Sequence, residues 1–190
     1  DKMLEHDLVS WNAFLAVISR HDKAQESLSS FQKMLSEGIL PDKISYINLC
    51  DACGSHALLR ESIWIHALIV SSKLEMDIQL RNSVINMYGK CGSLGDALIV
   101  FNRMPKRDVV SWSALITGYN QYGWWQDTIR IFNRMQSDNI KPDSVMLIAV
   151  LKAWSSIGDT VNGVLLHERI IEGGFESDVS VQTALISMYI

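Results

Sequence analysis

Apolar residues recur along this chain with the period of an α-helix, most clearly between residues 109 and 143. A first apolar stripe has members at i, i+3, i+4 and i+7, namely Trp112, Leu115, Ile116 and Tyr119. Gly123 interrupts the pattern, and a second stripe contains Thr128, Ile131, Phe132 and Met135. Pro142 then prevents the second helix from continuing. The pattern predicts a hairpin of two α-helices.

The hairpin pattern repeats along the sequence. Asp7-Leu-Val-Ser-Trp-Asn-Ala returns 101 residues later as Asp108-Val-Val-Ser-Trp-Ser-Ala, and an aspartate closes each successive sub-unit of 35, 35 and 31 residues. The predicted segments are the tail of a preceding repeat at 1–7, repeats 8–42, 43–77, 78–108, 109–143 and 144–178, and the first helix of a truncated repeat at 179–190. Hairpins of this size cannot bury both faces alone and therefore stack on their neighbours. The sequence thus predicts an all-α solenoid.

Composition narrows the function. The 190 residues include 17 Lys and Arg against 21 Asp and Glu, which gives a formal charge of −4 and excludes a nonspecific polycation that coats nucleic acid. The apolar run 63–70 is too short and too polar for a membrane helix. Three cysteines favour a reducing compartment over a disulfide framework. Because the chain opens on Asp1, we expect it to be a piece of a longer protein whose targeting peptide is not included.

Three segments resemble the pentatricopeptide repeat family: Val110-Ser-Trp-Ser-Ala-Leu-Ile116, Met87-Tyr-Gly-Lys-Cys-Gly-Ser-Leu94 and Phe101-Asn-Arg-Met-Pro-Lys-Arg-Asp108. The order 35, 35, 31 resembles the plant PLS subclass, in which standard (P), long (L) and short (S) repeats alternate. On this resemblance, repeats 8–42 and 109–143 are P-type, 43–77 and 144–178 are L-type, and 78–108 is S-type. The resemblance implies a right-handed α-solenoid that binds one RNA base per repeat, with its N-terminus toward the RNA 5′ end.

The resemblance also implies which residues choose the base. In the family these are the fifth and last residues of a repeat, which we term the specificity pair. Matched by position, the pairs are Asn12 with Asp42, Asn82 with Asp108, Ser113 with Asp143, Ile47 with Asp77 and Ile148 with Asp178, while Thr183 has its partner beyond residue 190. Isoleucine has no hydrogen-bonding group, so the two long repeats should discriminate weakly.

The chemistry of these pairs predicts a target. An Asn amide carries a donor and an acceptor and suits the edge of uracil, whereas a small hydroxyl leaves room for a purine. With a terminal Asp, the family pattern assigns uracil to Asn and guanine to Ser or Thr. The expected tract is 5′-U-N-U-G-N-3′, followed by G if Thr183 meets a further Asp.

Other positions of the repeat are candidates for supporting contacts. The second residue of each discriminating repeat would flank the base, and these residues are Val9, Gln79 and Val110. Arg20 and Lys90, at the thirteenth position, are candidates for phosphate contacts. Six of the acidic residues belong to the terminal Asp series that includes Asp7, and without them the balance is 17 − 15 = +2. Acid is therefore concentrated where the specificity pairs need it.

Several features have simpler interpretations. Cys50 and Cys53 form a Cys-x-x-Cys without a second pair, so we predict core residues and no metal site or cofactor. His66 and His167 recur 101 residues apart, which is typical of packing, and Trp11 and Trp112 are predicted core residues. Residues 89–95 lack the features of a phosphate loop and are predicted to be a turn, and Trp124 with Trp125 forms either a packed turn or an exposed patch. The alternative interpretation of Asn12, Asn82 and Ser113 is that they are solvated helix positions without a role in base choice.

Two functions follow. The first is implied by the resemblance: a non-catalytic module that binds single-stranded RNA in a mitochondrion or chloroplast. In this subclass the resemblance implies that the module marks sites of C-to-U editing beside editing-complex proteins, and we expect neither a membrane nor a small molecule as partner. Processing or stabilisation of RNA by passive blocking is another outcome of the same binding. The second function is a tetratricopeptide-type scaffold for peptides. A peptide groove has no reason to keep a terminal Asp in every repeat, and we use this argument to favour RNA.

Overall fold

A computed structural model describes residues 7–20 and 23–190, except that the side chain of Arg20 is not described. Within these ranges the only regular secondary structure is α-helix, in eleven segments. In chain order they are α1 Leu8–Arg20, α2 Ala24–Ser36, α3 Lys43–Ser55, α4 Leu59–Ser71, α5 Ile78–Lys90, α6 Leu94–Asn102, α7 Val109–Gln121, α8 Trp125–Ser137, α9 Ser144–Ile157, α10 Thr160–Glu172 and α11 Val179–Tyr189. We call the odd-numbered helices first helices and the even-numbered ones second helices.

Aspartate side chains start most of the first helices. Asp42, Asp77, Asp108, Asp143 and Asp178 are the N-caps of α3, α5, α7, α9 and α11. In each case a carboxylate oxygen accepts a hydrogen bond from the backbone N–H three residues further on, at 2.8 to 3.3 Å. A cap of this kind stabilises a helix by about 1 kcal/mol. The chain therefore re-enters a helix directly after each of these aspartates.

Short turns join the two helices of each hairpin. Between α5 and α6 the turn contains Gly92, whose φ of 75° lies in the left-handed region that favours glycine. Gly123 occupies the same conformation, again with φ 75°, between α7 and α8. The segment 89–95 is thus the end of one helix, a turn and the start of the next, as predicted, and not a phosphate loop.

The described residues fall into two compact units, the first of which ends at Met104. In this unit α3 packs between α1 and α5, so that the three first helices form one layer. Each of α2 and α4 packs on the first helix of its own hairpin and on the next first helix, and α6 packs on α5. Fully buried side chains fill the space between the layers, and the largest include Leu15, Phe31, Leu49, Ile65, Ile85 and Phe101.

The second unit begins at Pro105 and has the same plan. The first helix α9 packs between α7 and α11, while α8 contacts α7 and α9, and α10 contacts α9 and α11. All eight residues of the two predicted stripes in 109–143 are buried, including Trp112 and Met135 at 0% exposure. The prediction of an all-α fold built from stacked hairpins is confirmed. None of the described helices is long and apolar enough to cross a membrane.

Candidate functional site

The fifth residue of each predicted repeat is also the fifth residue of a first helix. In the first unit these residues are Asn12 in α1, Ile47 in α3 and Asn82 in α5. In the second unit they are Ser113 in α7, Ile148 in α9 and Thr183 in α11. Because the first helices of a unit pack side by side, equivalent positions recur on neighbouring helices of one layer. The layer of first helices within each unit is therefore the candidate site.

Asn12 and Asp42 form a specificity pair in direct contact. The Asn12 amide nitrogen Nδ2 donates a hydrogen bond to Asp42 Oδ1 over 3.0 Å, so a residue of α1 contacts the N-cap of α3. Ser45 in α3 completes the group, because its Oγ lies 2.6 Å from Asn12 Oδ1 and 3.1 Å from Asp42 Oδ1. Asn12 is only 8% exposed and Ser45 is fully buried. The amide is held on both its donor and its acceptor side.

The same contacts keep Asp42 ionised. Burial alone would raise the pKa of this carboxyl, but the hydrogen bonds from the Ser45 backbone, the Asn12 amide and the Ser45 hydroxyl outweigh burial, and the pKa of Asp42 is lowered. One carboxylate thus caps α3 and accepts from the neighbouring first helix. This double use makes it a fixed negative charge beside Asn12.

The long repeat 43–77 is arranged differently. Its fifth residue Ile47 is half-buried and cannot bond to a carboxylate. Asp77 instead forms an ion pair with Lys43, with 3.3 Å between Nζ and Oδ2. Burial raises the pKa of Asp77, but the Leu80 backbone N–H and the Lys43 ammonium outweigh it, so this pKa is also lowered. The carboxylate of this repeat is thus paired with lysine, and its fifth residue offers no hydrogen-bonding group.

In the second unit the terminal aspartates of the specificity pairs accept hydrogen bonds from backbone N–H groups. Asp143 accepts from the Met146 backbone N–H at 2.8 Å, and Ser113 and Ile148 are half-buried. Asp178 accepts from the backbone N–H groups of Ser180 and Val181. Thr183 is exposed, and its hydroxyl donates to the Val179 carbonyl of its own helix at 2.8 Å.

Two sequence arguments need correction. The claim that a peptide groove has no reason to keep a terminal Asp is wrong, because these aspartates cap the following helix whatever the ligand is. The recurrence of Asp therefore does not separate RNA binding from peptide binding. The alternative that Asn12 and Asn82 are solvated helix positions is also wrong, since they are 8% and 7% exposed. What distinguishes the site is the buried amide bonded to a cap.

The predicted flanking residues are on the surface. Val9 is 73% exposed, Val110 is 58% exposed and Gln79 is exposed. The second positions of the long repeats, Ile44 and Val145, are 53% and 51% exposed, and the sequence analysis passed over them. Exposed β-branched side chains thus recur in the first turn of α1, α3, α7 and α9. The available signal for this recurrence was the residue type at the second position of every repeat, the long repeats included. Apolar side chains of this kind can pack against the flat faces of unstacked bases.

Of the two phosphate candidates, Arg20 and Lys90, the structure describes the side chain of Lys90 only. The Arg20 side chain lies outside the described residues. Lys90, the last residue of α5, is half-buried, and its stem lies over Gly54 of α3. Burial raises the pKa of Asp51, and the positive charge of Lys90 acts against that rise. Lys90 therefore has a carboxylate nearby that would compete with a phosphate.

The residues given simpler interpretations behave as packing residues. Cys50 and Cys53 are buried, and burial raises the pKa of Cys53 to about 12, which keeps this thiol protonated. No cluster of three metal-ligating side chains occurs within residues 7–20 and 23–190. Trp11 and Trp112 are buried at 3% and 0% exposure, whereas Trp124 is 55% exposed and Trp125 is half-buried. At the turn that contains Gly123, Trp124 is thus exposed to solvent, as an exposed patch requires, whereas Trp125 is partly packed.

The recurrent histidines have recurrent partners that the sequence analysis missed. His66 Nδ1 lies 3.1 Å from Tyr88 Oη, and His167 Nδ1 lies 2.9 Å from Tyr189 Oη. Both partners follow their histidine by 22 residues, so the 101-residue repeat of His and Tyr together was the available signal. The prediction of a packing role for these histidines is confirmed.

Fold and site together define a class, the α-helical repeat proteins in which capped hairpins stack on one another. Sequence comparison identifies the family, because the PPR repeat profile matches residues 9–39, 81–109 and 110–140. The chain belongs to the pentatricopeptide repeat family, as the resemblance implied.

Similar proteins come from plants. The chain is 33% identical over 189 residues to the chloroplastic pentatricopeptide repeat-containing protein At1g11290 of Arabidopsis thaliana, and 35% identical over 192 residues to the chloroplastic protein At1g15510 of the same plant. The mitochondrial pentatricopeptide repeat-containing protein At3g25060 of Arabidopsis thaliana is 30% identical over 191 residues. Each alignment covers 100% of this chain but only 23%, 22% and 31% of the relative, so the chain spans about a quarter of their length.

Solved structures share the fold. The pentatricopeptide repeat protein PPR10 from maize superposes with a TM-score of 0.77 at 20% identity, over 97% of this chain and 27% of that one. PPR10 in complex with an 18-nucleotide psaJ RNA element gives a TM-score of 0.80 at 19% identity, over 96% of this chain and 28% of that one. At these identities the likeness establishes the architecture alone.

Proposed function

We propose that this chain is a module that binds single-stranded RNA with sequence preference, one base per repeat, along the layer of first helices. The observation that carries the proposal is the Asn12–Asp42 hydrogen bond. It places an oriented amide beside a fixed carboxylate, and the hydrogen bonds to Asp42 and Ser45 leave one Nδ2 proton and one Oδ1 lone pair of Asn12 unused. A family relative in its solved form is bound to an RNA element, and this supports RNA as the ligand.

The division into repeats assigns the bases. We propose the borders 8–42, 43–77, 78–108, 109–143 and 144–178, each first helix beginning directly after a terminal Asp. The tract is then 5′-U-N-U-G-N-3′, with Asn12 and Asn82 choosing uracil, Ser113 choosing guanine, and the two isoleucine repeats accepting any base. The repeat lengths 35, 35 and 31 favour the PLS subclass.

The biological setting is also a proposal. Relatives named chloroplastic or mitochondrial favour an organelle, and the PLS order favours recognition of a site for C-to-U editing. In this arrangement the chain chooses the site, and catalysis belongs to another domain or protein. Processing or stabilisation of RNA without editing needs the same binding. It differs only in its consequence, because the bound chain then acts by blocking the RNA passively.

The direct test exchanges one specificity residue. The full chain carrying Asn12→Ser should lose its preference for uracil at the first tract position and gain one for guanine, because the smaller hydroxyl leaves room for a purine. The shift should be on the order of tenfold, since 1.4 kcal/mol in differential contact energy is a factor of ten. Fluorescence anisotropy with four RNAs that differ only at this base measures it.

Asn133→Ser is the matched control, because it makes the same chemical change on the exposed surface of the second helix α8. It should leave all four affinities as in the parent chain. If Asn12→Ser weakened the four RNAs equally, or if the parent chain bound duplex and single-stranded RNA alike, the base assignment would be wrong. Binding of peptides without binding of RNA would favour the scaffold function instead.

A further inference from the structure

We propose that the Ser45 hydroxyl is a positioning residue for base choice, which holds the Asn12 amide in one of its two orientations so that repeat 8–42 distinguishes uracil from cytosine. The proposal rests on the RNA-binding function proposed above. Ser45 belongs to the following repeat, so the choice made by one repeat would depend on a side chain of its neighbour. The specificity pair would in this way become a group of three.

The hydrogen bonds around Ser45 have a definite direction. The Asp42 backbone N–H donates to Ser45 Oγ over 3.2 Å, which uses the hydroxyl as an acceptor. The one hydroxyl proton then has two acceptors in range, Asn12 Oδ1 at 2.6 Å and Asp42 Oδ1 at 3.1 Å. Asp42 Oδ1 already accepts from the Ser45 N–H and from Asn12 Nδ2, each at 3.0 Å. The proton therefore goes to Asn12 Oδ1, the shorter and less crowded contact.

This direction fixes the amide. Asn12 Nδ2 faces a carboxylate that can only accept, and Asn12 Oδ1 faces a hydroxyl that donates. Turning the amide by 180° would bring two oxygens, Asn12 Oδ1 and Asp42 Oδ1, together with no proton between them. The Ser45 hydroxyl would then have to turn toward the crowded Asp42 Oδ1 before it could accept from Asn12 Nδ2, and its 2.6 Å hydrogen bond to Asn12 Oδ1 would be lost. Because Ser45 is fully buried, water cannot reach Asn12 Oδ1 from this side and replace the hydrogen bond that the hydroxyl donates.

The orientation matters because uracil and cytosine present opposite patterns. Uracil offers an acceptor at O4 beside a donor at N3, whereas cytosine offers a donor at N4 beside an acceptor at N3. An amide held in one orientation complements one of these edges, and the turned amide complements the other. Removal of the Ser45 hydroxyl takes away one of the two constraints, so the preference should weaken while Asp42 preserves part of it.

The sequence places a second serine in the equivalent register. Ser111 stands three residues after Asp108 and has the same reciprocal cap. The Ser111 backbone N–H donates to Asp108 Oδ1 at 2.8 Å, the Asp108 backbone N–H donates to Ser111 Oγ at 3.3 Å, and Ser111 Oγ lies 2.7 Å from Asp108 Oδ1. Asp108 and Asp42 are the terminal residues assigned to the two asparagine repeats. After Asp77, Asp143 and Asp178, whose repeats have Ile or Ser at the fifth position, the same place holds Leu80, Met146 and Val181. Ser10 occupies this place after Asp7, and among the five complete specificity pairs a serine follows only the two that contain asparagine.

The experiment measures the ratio of affinities for RNAs with U or C at the first tract position, using the full chain. Ser45→Ala should lower this U-to-C ratio roughly three- to tenfold, the equilibrium equivalent of one neutral hydrogen bond. The change should come mainly from tighter binding of the C-containing RNA. Ser62→Ala is the matched control, because it also removes a fully buried serine hydroxyl of the first unit, one that bonds to the Leu58 carbonyl.

The outcomes separate this proposal from the function on which it rests. A parent chain without any U-to-C preference at this position would contradict the proposed base assignment itself. A parent preference that Ser45→Ala leaves unchanged, or an equal weakening of all four RNAs, would overturn the positioning role alone. Should Ser45→Ala fail to fold by circular dichroism, Ser45→Cys applies the same test, because its thiol is a much weaker hydrogen-bond donor.

Discussion

At the scale of single residues, the aspartates that close each repeat have two tasks. Asp42 caps α3 through the Ser45 N–H and also accepts from Asn12 of α1. The first task alone explains why aspartate recurs at this place, and only the second bears on a ligand. The stability of the hairpin and the placement of the candidate base-contacting amide therefore depend on the same carboxylate. A change at Asp42 should affect both.

Asp42→Ala should lower the free energy of unfolding at pH 7 by about 1 kcal/mol, the usual value of an N-cap. The folded-state pKa of Asp42 is depressed, so its stabilisation is present above the unfolded pKa of about 3.9 and is lost as the pH falls through the folded value. The difference between variant and parent should therefore shrink in acid. Urea unfolding at pH 7 and near pH 3 measures it.

Asp138→Ala serves as the comparison, because the exposed Asp138 follows the end of α8 and caps no helix start. It should cost no stability at either pH. An unchanged gap between Asp42→Ala and the parent chain from neutral pH into acid would show that the carboxylate charge is not what stabilises α3.

At the scale of helices, the sequence predicted most of what the structure contains, for identifiable reasons. Helical periodicity located the stripes of 109–143, because burial of one helix face leaves a direct trace in the order of residues. The contact between Asn12 and Ser45 was not predictable in this way. It joins side chains 33 residues apart, and its geometry depends on how closely α1 and α3 pack. Periodicity within one helix contains no such information.

The distance between first helices is set partly by small residues. A Cβ added at Gly54 of α3 would lie 3.2 Å from the Met87 Cα of α5, and backbone atoms cannot move aside as side chains do. Gly54→Ala should therefore separate α3 from α5 and lower the free energy of unfolding by roughly 1 to 3 kcal/mol. Thermal or urea unfolding of the full chain measures the effect.

Gly95→Ala is the matched change, because Gly95 also lies within a helix, in the first turn of α6, and an added Cβ there meets no atom within 4 Å. Alanine favours helix over glycine by up to about 1 kcal/mol, so this variant should be as stable as the parent or more so. Equal effects of the two substitutions would show that close packing of α3 on α5 does not limit stability.

At the scale of the whole chain, the formal charge of −4 opposes a polyanionic ligand. The aspartates that close the repeats account for part of this charge, and at least Asp42 and Asp77 are bonded to partners and not free to repel phosphate as isolated charges. Affinity should then come mainly from base contacts, with only a few phosphate contacts. Salt dependence is the property that reports the number of those contacts.

Lys90→Ala tests one of them. If Lys90 contacts a phosphate, the variant should bind every RNA more weakly at low salt, by a similar factor whatever the base. The slope of log affinity against log salt should then flatten by about 0.7, the value for one phosphate contact on a single strand. Lys33→Ala is the control, because it changes the net charge equally at an exposed position of the second helix α2. Equal slopes for the two variants would mean that only net charge matters, and a base-dependent loss would place Lys90 at a base instead of the backbone.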